Sequence, residues 1–246
     1  MTRDHRMPRQ AIFAMGAGLL LACITTPRTW ADSISTPSPV IAEHFDHLEN
    51  WEPLEFPLQT NSSYQLTGDG MLCAQANNSV SAIVLTEKFK PAETPLLSWR
   101  WNVGNTFTKG NAEHEDGDDF PLRVSVCFKF DPKKVSDNER RWFKMQKLVW
   151  GEYPPYRVIH YVFANRSDLA SQTLPCPYSD RARIIVKRSG ASDTGQWHEE
   201  KVNIMEDFRN AFDEEPPKEA VISIMADGDN TEESSTAYLD WIEISR

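Results

Sequence analysis

The sequence predicts an all-β domain, either a sandwich or a barrel, that also carries two short helices. Short runs rich in β-branched and aromatic residues recur along the chain, separated by Gly, Pro, Asn and Asp. That is the pattern of strands joined by turns. Within residues 123–130, Val124, Val126 and Phe128 alternate with polar residues and a cysteine. A strand places alternate residues on opposite faces, so one face of this strand is predicted to be core and the other polar.

Each of these apolar runs is predicted to be a strand. Each run is five to eight residues long and is bounded by turn-forming residues, as expected for strands of a two-layer β domain. The clearest are residues 97–103, 123–130, 158–163, 182–187, 221–225 and 238–244.

Two segments have helical spacing instead. Asn203 can cap a helix over residues 204–212, because Glu206 stands at the capping-box position and apolar residues follow at four-residue intervals. A second helix is predicted over residues 138–148, with Asp137 as its cap. Its cations form either a solvated face or a site for an acidic partner: Arg140, Arg141, Lys144 and Lys147.

The N-terminus predicts export. Arginines precede an apolar run over residues 11–24, and Thr29-Trp30-Ala31 offers small residues where a signal peptidase cleaves. Residues 1–31 are therefore predicted to be a signal peptide for a periplasmic protein, and residues 32–246 a single domain. The apolar run is too short for a transmembrane span. An alternative stays open, in which Leu20-Leu21-Ala22-Cys23 is a lipobox and Cys23 anchors an envelope lipoprotein.

Charge and cysteine content narrow the range of functions. The formal net charge is −10, which argues against nucleic acid and anionic lipid as partners. Cys73, Cys127 and Cys176 lie about 50 residues apart, a spacing that fits neither a zinc ribbon nor a CxxC redox centre. One disulfide among these three is compatible with an oxidising compartment, and its pairing stays open. No GxSxG, HExxH or P-loop motif is present.

Two acidic segments at predicted strand ends indicate a polar site. Asp118 and Asp119 precede Arg123, while the second segment, residues 227–231, follows the predicted strand 221–225. The carboxylate and amide oxygens of these residues form either a cation site or a tightly hydrogen-bonded turn. Tyr161 and His160 are neighbours in one strand, so only one of them can face this site, and Tyr161 is expected to do so. The predicted ligand-binding residues are Asp118, Asp119, Arg123, Tyr161, Asp227, Asp229, Asn230 and Thr231.

Motifs spread over almost the whole exported part of the chain resemble the DUF3047 family. This family consists of exported bacterial proteins with no settled function, so the resemblance implies export and architecture without a substrate. The matching positions, in chain order, are Trp51, residues 94–101, residues 118–120 with Arg123, residues 161–163, Pro177-Tyr178, Trp197, Asp207 with Phe212, and residues 227–231 with Ala237-Tyr238.

The two ends of the domain look like the jelly-roll, galactose-binding-like sandwiches that often act as carbohydrate-binding modules. Phe45-Asp46 leads to a Trp near the start, and residues 238–244 close the chain with a strand. The resemblance implies a jelly-roll-type β-sandwich with one or two short helices. It also implies a structural calcium near Glu43 or Asp46 with Asp240. Together with the acidic turn, the candidate calcium ligands are Asp227, Asp229 and Asp240.

These observations favour a noncatalytic protein that binds a glycan, such as a polysaccharide, or another small polar ligand. One alternative is a polysaccharide lyase or hydrolase that uses Tyr161 as general acid or base, or an aspartate pair. A further alternative is an interaction partner in the assembly of other envelope proteins. The residues do not identify the ligand or the oligomeric state.

Overall fold

The computed structural model describes residues 39–133, 135–150 and 153–246. The predicted signal peptide and Cys23 lie outside the described residues, so both alternatives for the N-terminus stay predictions. The strands are β1 (Ile41–Glu43), β2 (Trp51–Glu55), β3 (Ser63–Leu66), β4 (Leu72–Asn77), β5 (Val80–Leu85), β6 (Leu96–Val103), β7 (Arg123–Phe128), β8 (Arg157–Ala164), β9 (Thr173–Cys176), β10 (Ser179–Ser189), β11 (Trp197–Asn203), β12 (Ala220–Asp227) and β13 (Ser234–Ser245). The α-helices are α1 (Asp137–Trp150) and α2 (Ile204–Phe212).

The strands form two sheets that pack face to face. The six-stranded sheet has the order β11-β6-β13-β4-β3, with β1 also paired to β13. The seven-stranded sheet has the order β2-β5-β12-β7-β8-β10-β9, and β8 and β10 are its parallel pair. The predicted fold class, an all-β sandwich of jelly-roll type with short helices, is confirmed.

Aromatic rings fill the space between the two sheets. Trp99 and Trp101 on β6 are fully buried and make an edge-to-face contact with ring centroids 5.6 Å apart. Across the sandwich, Trp99 packs against Tyr161 at 5.3 Å and Trp101 against Phe163 at 6.1 Å, both from β8. Alternation along each strand places these rings on the inner face, so the core is built by the period of two that the sequence shows.

Both helices begin at residues that cap them locally, but the cap predicted for α1 is wrong. The side chain of Asn203 accepts hydrogen bonds from the backbone of Met205 and Glu206, as expected for α2. For α1, Ser136 makes the capping contacts instead of Asp137. The Ser136 hydroxyl accepts from the Glu139 amide, and the Glu139 carboxylate accepts from the Ser136 amide. This reciprocal pair is a capping box, which satisfies the backbone amides of both Ser136 and Glu139.

The three described cysteines are free thiols, so the possible disulfide among them does not form. Cys73 lies on β4 of the six-stranded sheet, while Cys127 on β7 and Cys176 on β9 are separated by β8 and β10. A disulfide requires Cα atoms within about 7 Å. Among the described residues, no helix is long and apolar enough to cross a bilayer.

Candidate functional site

The two predicted acidic segments meet at one end of the seven-stranded sheet. Arg123 opens β7 and Asp227 closes β12, and these strands are antiparallel neighbours in which Met225 lies opposite Arg123. The loop before β7 brings in Asp118 and Asp119. Arg123 donates to the carboxylates of Asp118 and Asp227 and to the Asp118 carbonyl oxygen. All three of these side chains are buried, with 1–3% exposure.

Asp119 holds the turn that follows β12. Its carboxylate accepts the backbone amides of Thr231 at 2.6 Å and Asn230 at 3.4 Å. Gly228 is needed in this turn, because a Cβ there would lie 3.0 Å from the Glu233 carbonyl oxygen and 3.1 Å from the Phe107 ring. The loop and the turn are thus fastened to each other by direct hydrogen bonds, although more than 100 residues separate them.

Burial changes the acidity of the carboxyl groups at this site. Burial raises the pKa of Asp227 well above the usual carboxyl value; Arg123 opposes this rise and the nearby Asp119 carboxyl adds to it. Burial likewise raises the pKa of Asp118, again against the effect of Arg123. One guanidinium therefore does not fully compensate the carboxyl groups placed around it.

Three of these carboxyl groups are close enough to hold one cation. Oxygens of Asp119, Asp227 and Asp229 lie within 4.8 Å of one another. Calcium binds oxygens at 2.3–2.6 Å, so oxygens that share one ion can be this far apart. Among the described residues, the Asp229 carboxylate makes no hydrogen bond or ion pair, whereas the other two already accept bonds from amides or from Arg123. The donor set fits a hard cation, and calcium would need further oxygens to complete its shell.

Asp240 does not belong to this cluster. Its carboxylate pairs with Arg100 on the adjacent strand β6 of the six-stranded sheet. Near the N-terminal end of the described chain, Glu43 accepts a hydrogen bond from the Trp51 indole at 3.1 Å. The structure therefore does not bring Asp240 together with Asp227 and Asp229, and a separate calcium site of Asp240 with Glu43 or Asp46 stays a prediction.

Tyr161 does not lie at the site either. Its ring is fully buried between the sheets, and its hydroxyl donates to Asp207 at 2.8 Å. His160 faces outward instead, because β8 pairs with β7 so that His160 lies opposite Ser125, on the same face as Arg123. The expectation that Tyr161 faces the site is wrong, and the alternation along the strand puts His160 there in its place.

His160 is an uncharged member of this outer face. Its Nδ1 shares a hydrogen bond of 2.8 Å with the Ser125 hydroxyl. Burial lowers the pKa of His160 to about 3, and the nearby Arg123 adds to the effect. Because the imidazole is neutral at physiological pH, it can offer a hydrogen bond but no charge.

A groove runs over this outer face of the seven-stranded sheet, with a volume of about 660 Å³. Arg123, His160 and Met225 contribute to its lining from the strands. Phe56 lines it from the segment after edge strand β2, and Tyr178 from the turn between β9 and β10 at the opposite edge. The groove therefore joins the acidic cluster to two aromatic side chains.

Tyr178 and Phe56 are the site residues that sequence reasoning missed. Tyr178 is 52% exposed, and its hydroxyl donates to the Glu115 carbonyl oxygen and accepts from the Asn230 amide at 2.6 Å. An exposed aromatic residue in a turn is a usable signal, and Pro177-Tyr178 lies within the motifs that resemble the family. Phe56 has no comparable signal, because its place depends on how the segment after β2 folds over the sheet.

The solved structures that align with most of this chain are distant from it in sequence. The xyloglucanase domain of NopAA, a type three effector from Sinorhizobium fredii, aligns with 8% identity and a TM-score of 0.43, over 86% of this chain and 100% of that domain. Winged bean acidic lectin aligns with 9% identity and a TM-score of 0.38, over 84% and 98% of the two chains. The xylan-binding module CBM15 gives 10% identity and a TM-score of 0.36, over 83% and 95%.

A comparison with curated proteins found no match. Residues 49–243 match the family described as "Protein of unknown function (DUF3047)". The matched region includes the loop before β7, the groove and the turn after β12. Since the match extends over most of the chain, the protein belongs to the DUF3047 family.

Proposed function

We propose that the protein is a noncatalytic glycan-binding β-sandwich whose ligand lies in the groove of the seven-stranded sheet. The observation that carries this proposal is the combination of Phe56 and Tyr178 with hydrogen-bonding groups in one open groove. Sugar rings present apolar C–H faces and polar hydroxyl edges. Aromatic rings can stack on the apolar faces, and carboxylate or amide groups can form hydrogen bonds with the hydroxyl groups.

The size and lining of the groove support a ligand of a few sugar units. Its volume of about 660 Å³ lies within the range of roughly 300–1,000 Å³ that is usual for ligand sites. Asp229 and Asn230 stand at one end, and the exposed Gln59 lies beside Phe56. These polar groups can accept from and donate to hydroxyl groups, while the groove stays open enough for a chain to extend from it.

The charge of the groove favours neutral glycans. Even with Asp227 protonated, as its raised pKa favours, Asp118 and Asp229 contribute two carboxyl groups against the single guanidinium of Arg123. A uronate-containing polysaccharide would bring further negative charge to this surface. Because like charges at an interface oppose binding, we expect neutral polysaccharides to bind more tightly than acidic ones.

Binding is favoured over catalysis by the engagement of the candidate catalytic groups. Asp119 accepts two backbone amides and Asp227 is paired with Arg123, whereas a general acid or a nucleophile must be able to reach the substrate. Tyr161 is in the core. Ser125 and His160 share a hydrogen bond, but no carboxylate among the described residues orients the imidazole as in a Ser-His-Asp triad.

The test is binding of the purified protein to xylan, mannan, xyloglucan and polygalacturonate by affinity electrophoresis, with product release followed by a reducing-sugar assay. We expect saturable binding to a neutral polysaccharide without product. Tyr178→Ala should weaken it about tenfold through the loss of ring stacking, while Tyr178→Phe should retain most of the affinity. Trp142→Ala is the matched control, because Trp142 is an exposed aromatic residue outside the groove.

Two results would contradict the proposal. Equal loss of affinity in Tyr178→Ala and Trp142→Ala would show that binding does not use the groove. Product that accumulates with the wild-type chain and disappears with Asp227→Asn would instead establish the hydrolase or lyase alternative.

We also propose that the protein acts after export, in the periplasm or at the envelope. This part rests on the N-terminal sequence, with its arginines, its apolar run and Thr29-Trp30-Ala31. N-terminal sequencing and mass measurement of the protein from bacterial fractions test it. A chain that begins at Asp32 supports cleavage after Ala31, a lipidated Cys23 supports the lipoprotein alternative, and an intact N-terminus in the cytoplasm contradicts both.

A further inference from the structure

Helix α1 presents an apolar stripe to solvent. Trp142, Met145 and Leu148 are 40%, 65% and 86% exposed. Because these residues recur at intervals of three, they lie on one side of the helix. Large apolar side chains scattered singly on a surface are normal, but three that adjoin on one helix form a patch of the kind used for contact with another surface.

Cations accompany this stripe. Arg141, Lys144 and Lys147 are all exposed. The acidic residues of α1 stand only in its first turn, where Asp137 pairs with Arg140 and Glu139 is engaged in the capping box. From residue 140 to residue 150 the sequence contains no Asp or Glu. The C-terminal part of α1 is thus locally basic in a chain whose net charge is −10.

The opposite side of α1 packs against the domain, so the apolar stripe faces solvent. Phe143 is fully buried and stacks on Phe130 with ring centroids 3.9 Å apart. The Arg181 guanidinium lies over the Trp142 and Phe143 rings at 4.8 and 4.9 Å. Because Phe143 anchors the helix, α1 cannot turn its exposed apolar side chains into the domain without losing this packing.

We propose that α1 docks in the plane of an anionic lipid surface. A helix with Trp, Met and Leu on one side and Lys or Arg beside them can sink its apolar side chains into the headgroup region while its cations contact lipid phosphates. The overall charge argues against anionic lipid, but it acts through a screening length of only about 8–10 Å at physiological salt. The local cations of α1 therefore determine contact at this face. The inference is independent of the groove.

The test is sedimentation of the full chain with vesicles of phosphatidylcholine alone or of phosphatidylcholine mixed with phosphatidylglycerol. We expect binding to the anionic vesicles that weakens as salt is raised. Arg141→Glu with Lys144→Glu should weaken it at least about thirtyfold, since each Lys or Arg near an anionic surface contributes roughly fivefold. Lys88→Glu with Lys201→Glu is the control, because both residues are exposed, lie outside α1 and give the same change in net charge.

The apolar contribution is tested separately by Met145→Gln with Leu148→Gln, which leaves the charge unchanged. We expect at least about tenfold weaker binding to the anionic vesicles. In the wild-type chain, the apolar side chains of Met145 and Leu148 would move from water into the headgroup region, and the polar glutamines would not gain free energy from this transfer. Circular dichroism and the melting temperature should stay as in the wild type, since both residues are exposed.

Residues 1–38 also contain arginines and an apolar run, so a local measurement must accompany the sedimentation. Hydrogen exchange of a peptide covering residues 140–148 should slow when anionic vesicles are added and should not slow with phosphatidylcholine alone. Binding that leaves this peptide unchanged, or that falls equally in the α1 variant and in the control, would overturn the proposal. Absence of binding to either vesicle would also overturn it and would leave an acidic protein as the candidate partner.

Discussion

Arg123 provides the sharpest test of how the buried charges at the site are balanced. Replacement by Met removes the guanidinium but keeps an apolar chain, and it leaves Asp118 and Asp227 buried without their cation. Removal of one partner from a buried ion pair typically costs about 3–5 kcal/mol, because a charge stays buried and unpaired. For a chain of this size the melting temperature should fall by roughly 6–20 °C.

The assay is urea unfolding followed by tryptophan fluorescence, for which the buried Trp99 and Trp101 are natural reporters. Arg100→Met is the matched control, because Arg100 pairs with Asp240 at the surface, where the two side chains are 34% and 31% exposed. Loss of such an exposed pair costs about 0–1 kcal/mol. The difference between the two variants isolates the effect of burial.

A second variant distinguishes charge from packing. Asp227→Asn added to Arg123→Met removes one of the two stranded carboxylates, so the double variant should be more stable than the sum of the single losses predicts. If Arg123→Met lowers the free energy of unfolding no more than Arg100→Met does, or if the losses in the two single variants at the site simply add, the guanidinium does not balance the buried carboxyl groups.

Three further predictions concern the same elements. Tyr161→Phe should lower the free energy of unfolding by about 0.5–1.5 kcal/mol through the lost bond to Asp207 and should leave glycan binding unchanged; a loss of binding alone would return Tyr161 to the site. Because the pKa of Asp227 is raised in the folded chain, its contribution to stability is fully present below the ordinary carboxyl pKa of about 4 and is lost as pH rises toward the folded-state value. The destabilisation caused by Asp227→Asn should therefore be smaller at pH 8 than at pH 5, and urea unfolding at both values checks this. Calcium should raise the melting temperature relative to chelator, and Asp229→Asn should abolish the rise; identical curves would reduce these carboxyl groups to turn-stabilising groups.

Local sequence signals predicted the parts of the fold that have local causes. Helix α2 begins at Ile204 after the Asn203 cap, because cap and capping-box partner are three residues apart and need no other part of the chain. Strand β7 follows its alternating pattern up to Phe128. It ends two residues early, where Phe130 leaves the sheet to stack on Phe143 of α1, a contact that no short window of sequence contains.

The site was predictable in its segments but not in its geometry. Strand ends located Arg123 and Asp227, yet their contact joins residues 104 positions apart and depends on which strands are neighbours. The period of two allowed either Tyr161 or His160 at the groove. Only the register between β7 and β8, with His160 opposite Ser125, decides between them, and register across strands is a property of the assembled sheet.

The buried charges are better explained by the shape of the groove than by the stability of the fold. Apolar side chains of similar volume often stabilise a core as well as a buried ion pair does. Arg123, however, bonds the loop before β7 to the end of β12, while Asp119 bonds the turn beyond it. Together they fix the position from which Asp229 and Asn230 face the groove. We infer that the polar network preorganises the surface that Asp229 and Asn230 present to the groove.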